Sequence, residues 1–264
     1  MTTARDECQC YLFVEGQDDI HVIGQLLKDF KVSTRRKPDC RIIDKLELNL
    51  CFDEAAVPFD ILQCGGVERV LRKFTAKIAS SNSREVTIGI VLDNDHDEKH
   101  NRVEQVRGAI DTILRETQNR YRWKNLDLPY EILSHGGFIA EPGNADTPRI
   151  GCWLMPDHQS HGMLETFLAK LVSNHGLFDF AKHATQTARK EQQAPYKACH
   201  EDKAVMHTYL AWQDEPGKPF GTAFEQGSFD AQKDLAVSFV AWIKRLFRPK
   251  THSQEPMSCQ HPEL

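Results

Sequence analysis

The sequence predicts an α/β fold: a mostly parallel central sheet flanked by helices, with a mainly helical C-terminal extension. Three observations predict it. Short apolar runs alternate with apolar stripes at helical spacing over the first 115 residues. One run, Thr87 to Leu92 (TIGIVL), is nearly all apolar and β-branched, as a strand covered on both faces must be. Past about residue 173 the strand-like runs stop and helical stripes continue. Strand-helix alternation of this kind builds a parallel sheet with covering helices.

Taken in order, Cys10 to Val14 reads as a strand rich in aromatics. Ile20, Ile23, Leu26, Leu27 and Phe30 recur at helical spacing. Ile61 to Gln63 is a brief apolar run closed by Gly65-Gly66, and Val67, Val70, Leu71, Phe74 and Ile78 form the next helical stripe. After TIGIVL, Val103, Val106, Ile110, Ile113 and Leu114 mark a third helix. GFIAEP and RIGCWLMP read as strands separated by the loop GNADT. Met163 to Val172 carries a fourth helical stripe after PDHQSHG. Asn174 to His200 is polar and weakly patterned, helical with loops, while Lys203 to Trp212 and Ala236 to Phe247 read as closing helices around a Gly/Pro-rich loop, DEPGKPFG. The expected organisation is an α/β domain over 1–172, a helical region over 173–248 packed on it, and a disordered polar tail over 249–264.

Composition narrows the function classes. With 264 residues, 40% hydrophobic and 27% charged, the chain has the proportions of a globular protein with a sizeable core. No run of about 18 apolar residues is present, so no membrane span is expected. The opening MTTARDECQC has no apolar segment of the signal-peptide kind, and the expected location is cytoplasmic. The eight cysteines are scattered without a CxxC pair, so free, mostly buried thiols are expected rather than disulfides or structural zinc. A net charge of −5 argues against a passive nucleic-acid coat, which would be basic. It is compatible with an enzyme whose acidic site holds cations and whose basic residues gather elsewhere, as in STRRK and IKRLFRPK.

The candidate site comes from carboxylates at strand ends. Glu15 follows the first strand, and Asp93, Asp95 and Asp97 follow TIGIVL. In a parallel sheet, chemistry gathers at the carboxyl ends of the strands. If the two strands are neighbours, these carboxylates meet and repel one another. A hard divalent cation relieves that conflict, and Mg²⁺ typically takes one or two carboxylates plus substrate phosphates. Gly16, next to Glu15, is expected to permit a tight turn and close approach of substrate.

Glu15-Gly16 after an apolar strand, with Asp93-x-Asp95 after a later one and a strand and helix at Ile61 to Ile78 between them, resembles the toprim domain of topoisomerases, primases and overcoming-lysogenization-defect nucleases. WLMPDHQSHGMLETFL and MHTYLAWQDEPGKPFGTAF look like segments of a small family of uncharacterised prokaryotic toprim-like proteins. The resemblance implies a toprim-like sheet and Mg²⁺- or Mn²⁺-dependent phosphodiester chemistry on DNA or RNA, a nuclease above all. It implies Glu15 as general acid/base or metal ligand, Asp93 and Asp95 as metal ligands, Asp97 as a completing ligand and Glu165 as support for a second metal. Asp157 and Lys203 are further candidates for contact with substrate. No membrane partner is implied; a homo-oligomer or a partner protein is compatible with the sequence.

Other readings compete. Asp93-x-Asp95-x-Asp97, with Glu104 in the twelfth place, imitates a calcium-binding loop, but Glu98 stands where glycine is needed and a strand precedes it. An Mg²⁺-dependent phosphatase with Asp93 as nucleophile and Asp95 as acid/base is a second alternative. A noncatalytic toprim-like binding or regulatory module is the third. Asp18 and Asp19 read as caps of the first helix. His158 and His161 read as loop residues, and Trp153, Trp212 and Trp242 as core aromatics.

Overall fold

The computed structural model describes residues 9–28, 32–34, 44–52, 55–81, 85–94, 102–117, 120–124 and 137–249. Asp95 and Asp97, the STRRK arginines and lysine, and the tail beyond 249 lie outside them. An eight-stranded sheet runs in the order β2-β3-β4-β1-β5-β8-β7-β6. The inner four strands, β4 (Ala56–Gln63), β1 (Cys10–Val14), β5 (Thr87–Asp93) and β8 (Arg149–Met155), are parallel. β3 (Lys45–Cys51) and β2 (Val32–Thr34) extend one side antiparallel, β7 (Phe138–Pro142) and β6 (Trp123–Lys124) the other.

Side-chain alternation along the inner strands feeds two apolar layers. Leu12, Val14, Val91, Trp153 and Met155 face one side, with α1 (Gln17–Lys28), α4 (Leu164–Leu171) and α8 (Asp234–Leu246). Phe13, Ile88, Ile90, Leu92, Ile150 and Leu154 face the other, with α2 (Val67–Ala79) and α3 (Arg102–Glu116). Burial on both faces explains why β5 and β8 read as continuous apolar runs. The first layer is thickened by α5 (His175–Glu191), α6 (Glu201–Ala211) and α7 (Phe220–Glu225), whose Ala181, Met206, Tyr209, Phe220 and Phe224 join the same core.

The last helix docks on bare backbone. A side chain at Gly89 of β5 or Gly151 of β8 would stand 2.8 Å from Leu246, so glycine at both positions makes the seat into which Leu246 fits. Trp242 and Trp153 are buried there, with rings 5.7 Å apart. Trp212 differs from its expected core role: it is exposed and lies beside the exposed Phe180, ring centroids 5.4 Å apart. It stands just past the end of α6. The described cysteines are free thiols; Cys10, Cys64 and Cys152 are buried, while Cys51 and Cys199 are exposed. Among the described residues no helix is long and apolar enough to cross a membrane.

Candidate functional site

β1 sits between β4 and β5, with α1 on one face of the sheet and α2 and α3 on the other. Such a reversal of strand order opens a crevice at the carboxyl ends of the strands. Glu15 is the first residue past β1, at the strand end where such a crevice is expected. Its carbonyl oxygen accepts the N–H groups of Gly65 (2.8 Å) and Gly66 (3.1 Å), while Val14 O accepts Cys64 N–H at 3.0 Å. Gly65 and Gly66 have φ of 80° and 108°, which other residues adopt only under strain. The turn after β4 therefore fixes the backbone at Glu15. Gly16 has no such requirement: an added Cβ would meet Asp19 Oδ2 at 3.4 Å, an ordinary contact, and its φ lies outside the left-handed region. The glycines that shape the site are the pair 49 and 50 positions later.

The Glu15 side chain reaches across to β5, where Oε1 accepts the Asp93 N–H at 2.9 Å. The Asp93 carboxylate turns to α4, with Oδ1 accepting the Leu164 N–H at 3.0 Å. It thereby satisfies one of the unpaired amides at that helix start and meets its positive end. The Asp93 carbonyl accepts from Nε of Arg102, a buried residue that opens α3, at 2.7 Å. Asn94 exchanges backbone hydrogen bonds with Gly162 (2.8 and 2.9 Å), and its Nδ2 donates to Ser160 O at 3.0 Å. The strand end carrying Asp93 is thus tied to the loop that leads into α4.

Two more carboxylates close on this point. Asp19 Oδ2 accepts the Gly16 N–H at 2.8 Å, as the third residue of a helix reaching back to its cap, so its capping role holds. Yet Asp19 is also buried. Burial, with the charges of Glu15, Glu165 and Asp18, pushes its carboxyl up to about 7 against the opposing pull of the Gly16 N–H. Glu165, in the first turn of α4, is buried, and its Oε1 lies 3.4 Å from Lys203 Nζ on α6. The closing helices do fold over the acidic edge, and Lys203 meets a carboxylate there.

Asp157 is occupied by its own loop. Its Oδ1 accepts the N–H groups of Gln159 (3.0 Å) and Ser160 (2.6 Å); its Oδ2 accepts from Ser160 Oγ (2.9 Å) and Lys170 Nζ (2.6 Å). Burial alone would raise its pKa, but Lys170 and these donors outweigh it and hold the carboxyl down at about 2. His158 turns inward: Nδ1 accepts the Leu154 N–H at 3.0 Å, and burial lowers its pKa to about 4, so the ring is neutral near pH 7. Glu104 pairs with Arg107 at 2.8 Å on α3.

Glu15, Asp19, Asp93 and Glu165 are therefore linked neighbours at the ends of β1 and β5 and the starts of α1 and α4. Sequence reasoning named three of them and took Asp19 for a cap alone. The signal for it was present: Asp19 shares the helical stripe of Ile23 and Leu26, so it is an acid in an apolar row. Among the described residues no three of His, Cys, Asp and Glu are gathered so as to hold a metal ion by themselves. The proposed ligands Asp95 and Asp97 fall outside the described residues.

A family model described as "Protein of unknown function (DUF3226)" matches residues 9–248. No curated protein and no solved structure matches the chain.

Proposed function

We propose that this chain, which belongs to the DUF3226 family of proteins of unknown function, performs divalent-cation-dependent phosphodiester chemistry on nucleic acid and acts as a nuclease. The observation that carries the reading is the hydrogen bond from Asp93 N–H to the Glu15 carboxylate. It binds two acidic strand ends, far apart in sequence, into one crevice. The resemblance of Glu15-Gly16 and Asp93-x-Asp95 to the toprim pattern supports the same reading.

A cation suits the donors present. The ligand atoms on offer are carboxylate oxygens, and Asp19, raised chiefly by burial, is raised further by the charges of Glu15, Glu165 and Asp18 beside it. Glu15, Asp93 and Asp95 would hold Mg²⁺ or Mn²⁺, with Asp97 and Glu165 completing the set; when bound, the ion supplies Lewis-acid stabilisation of charge on a phosphoryl group. A carboxylate that accepts one N–H keeps further lone pairs, so the bonds that fix Glu15 and Asp93 do not exhaust them. The chain's own groups do the rest. Asp93 N–H orients Glu15, whose carboxylate accepts a proton from an attacking water. Leu164 N–H fixes Asp93. Lys203, paired with Glu165 at the edge of the site, would offer its cation to a substrate phosphate.

The test is incubation of the purified full chain with plasmid, single-stranded DNA and RNA in Mg²⁺, Mn²⁺ or EDTA. Cutting that needs the cation and vanishes in Asp93→Asn is expected. A folded protein that cuts none of them and binds no divalent cation by calorimetry overturns the reading in favour of a noncatalytic module. Hydrolysis of a small phosphomonoester without cutting would favour the phosphatase.

A further inference from the structure

We infer that the exposed face of α2 is the track that holds the sugar-phosphate backbone of the nucleic acid beside the acidic crevice. The inference rests on the nuclease reading and names the surface that lets such a site take its substrate. A crevice lined by Glu15, Asp19, Asp93 and Glu165 repels a polyanion. On a chain of net charge −5, the attraction must come from a local concentration of cations close by.

Helix α2 supplies one. It carries Arg69, Arg72, Lys73 and Lys77 against a single acid, Glu68. At 3.6 residues per turn the four cations fall within about 140° of the helix circumference and run over about 12 Å of its length. The opposite side is the buried stripe Val70, Phe74 and Ile78. Arg69, Arg72 and Lys73 are exposed, and Lys77 is half-buried with Nζ 4.0 Å above the Tyr11 ring. Among the described residues none of the four forms an ion pair; Lys73 Nζ donates to the Gln63 carbonyl at 3.3 Å.

The neighbouring α3 shows what an ordinary solvated helix looks like in this chain. There Arg107 pairs with Glu104, and Arg115 donates to Asp111 O and Thr112. Mixed signs and local partners serve solubility; an unmixed stripe does not need to exist for that purpose. The stripe also starts in the right place. Gly65 and Gly66, which donate to the Glu15 carbonyl, lead directly into α2, so Arg69 lies one turn from the crevice and Lys77 two turns further along the flank.

The experiment is fluorescence anisotropy of labelled single-stranded DNA, duplex DNA and RNA with the full chain in EDTA, over a range of salt. The chain is compared with the triple variant Arg69→Gln, Arg72→Gln, Lys73→Gln and with a control, Lys182→Gln, Lys190→Gln, which removes charge from α5. Expected for the triple variant is at least about 10-fold weaker binding near 0.1 M salt and a log-log salt slope shallower by about 2–3, since each lost phosphate contact removes about 0.7–0.9. Arg69→Lys, Arg72→Lys keeps the charge and is expected to keep the slope, which separates lost contacts from lost folding. Unchanged binding in the triple variant, or an equal loss in the α5 control, overturns the track. So does wild-type binding to vesicles containing anionic lipid but to no nucleic acid. Wild-type cutting that the α2 substitutions leave untouched sinks the track and spares the nuclease; wild-type binding without cutting, lost in the triple variant, does the reverse.

Discussion

Glu15 and Asp93 are 78 residues apart in the chain, yet the carboxylate of one accepts the backbone N–H of the other at 2.9 Å. Two effects can be separated there by substitution. Glu15→Ala leaves a half-buried amide without this acceptor, at an expected cost of about 1–2 kcal/mol, or a few degrees of melting temperature in a chain of this size. Glu15→Gln keeps an acceptor and should melt within about 2 °C of wild type, while losing the extra stability that Mn²⁺ confers. Differential scanning fluorimetry with and without Mn²⁺ reads both. Equal Mn²⁺ stabilisation in wild type and Glu15→Gln would remove Glu15 from the ligand set.

Asp93→Asn is the complementary change. The amide oxygen can still accept from Leu164 N–H, so the start of α4 keeps its partner. Phosphodiester cleavage should fall at least about 100-fold, the scale on which a single charge-stabilising or proton-transferring group acts. Single-turnover cleavage of a labelled oligonucleotide, with circular dichroism as the check on folding, makes the measurement. Retained cleavage would show that the charge of Asp93 does no chemistry.

Asp19 sets a pH dependence. The folded chain holds its proton up to about pH 7, and the unfolded chain releases it near 3.8. Its contribution to stability is therefore full below about pH 4 and is lost as pH rises through about 7. The upper limit of that loss is about 4 kcal/mol. Asp19→Asn, which imitates the protonated acid, should flatten the profile of melting temperature against pH in EDTA and raise stability above pH 7. A profile identical to wild type would place the titrating charge elsewhere.

Asp157 is expected to be structural. Four donors converge on its carboxylate in the loop before α4. Asp157→Ala should cost about 1–3 kcal/mol, measured by urea denaturation, and should lower cleavage through misplacement of Glu165. Asp157→Asn, which keeps an acceptor, should recover most of the activity. A variant fully stable yet unable to bind oligonucleotide would instead return Asp157 to the substrate surface.

Much of this architecture was legible where one physical signal dominated. β1, β5 and β8 are apolar on both faces because helices cover both, and the helical stripes of α1 to α4 each mark a single buried side. The meeting of Glu15 with Asp93 followed from strand adjacency alone. Other elements mixed their signals. β3 is different: Leu46, Leu48 and Leu50 alternate with polar residues, the period of a half-buried strand, so its signal was present in the sequence. α5 buries only Ala181 and Thr185 of its 17 residues, so it has almost no stripe to detect. α7 is six residues long, holds Gly221 and sits against Pro219, which reads as loop. Asp19 escaped because one residue both caps a helix and adds a buried acid to the crevice. Gly16 was credited with a freedom that Gly65 and Gly66 exercise instead, since a turn next to an acid in sequence need not be the turn that shapes it in space.

The seat of Leu246 on Gly89 and Gly151 sets an order of events during synthesis. At the usual pace of translation about 8–30 s separate the making of Gly89 from that of Leu246. For the last 95 residues of that interval, once Gly151 is made, the furrow along the middle strands lacks the side chain that fills it. A chain that ends before the last helix is expected to leave that furrow open and to be degraded faster than the full chain, which a pulse-chase measures.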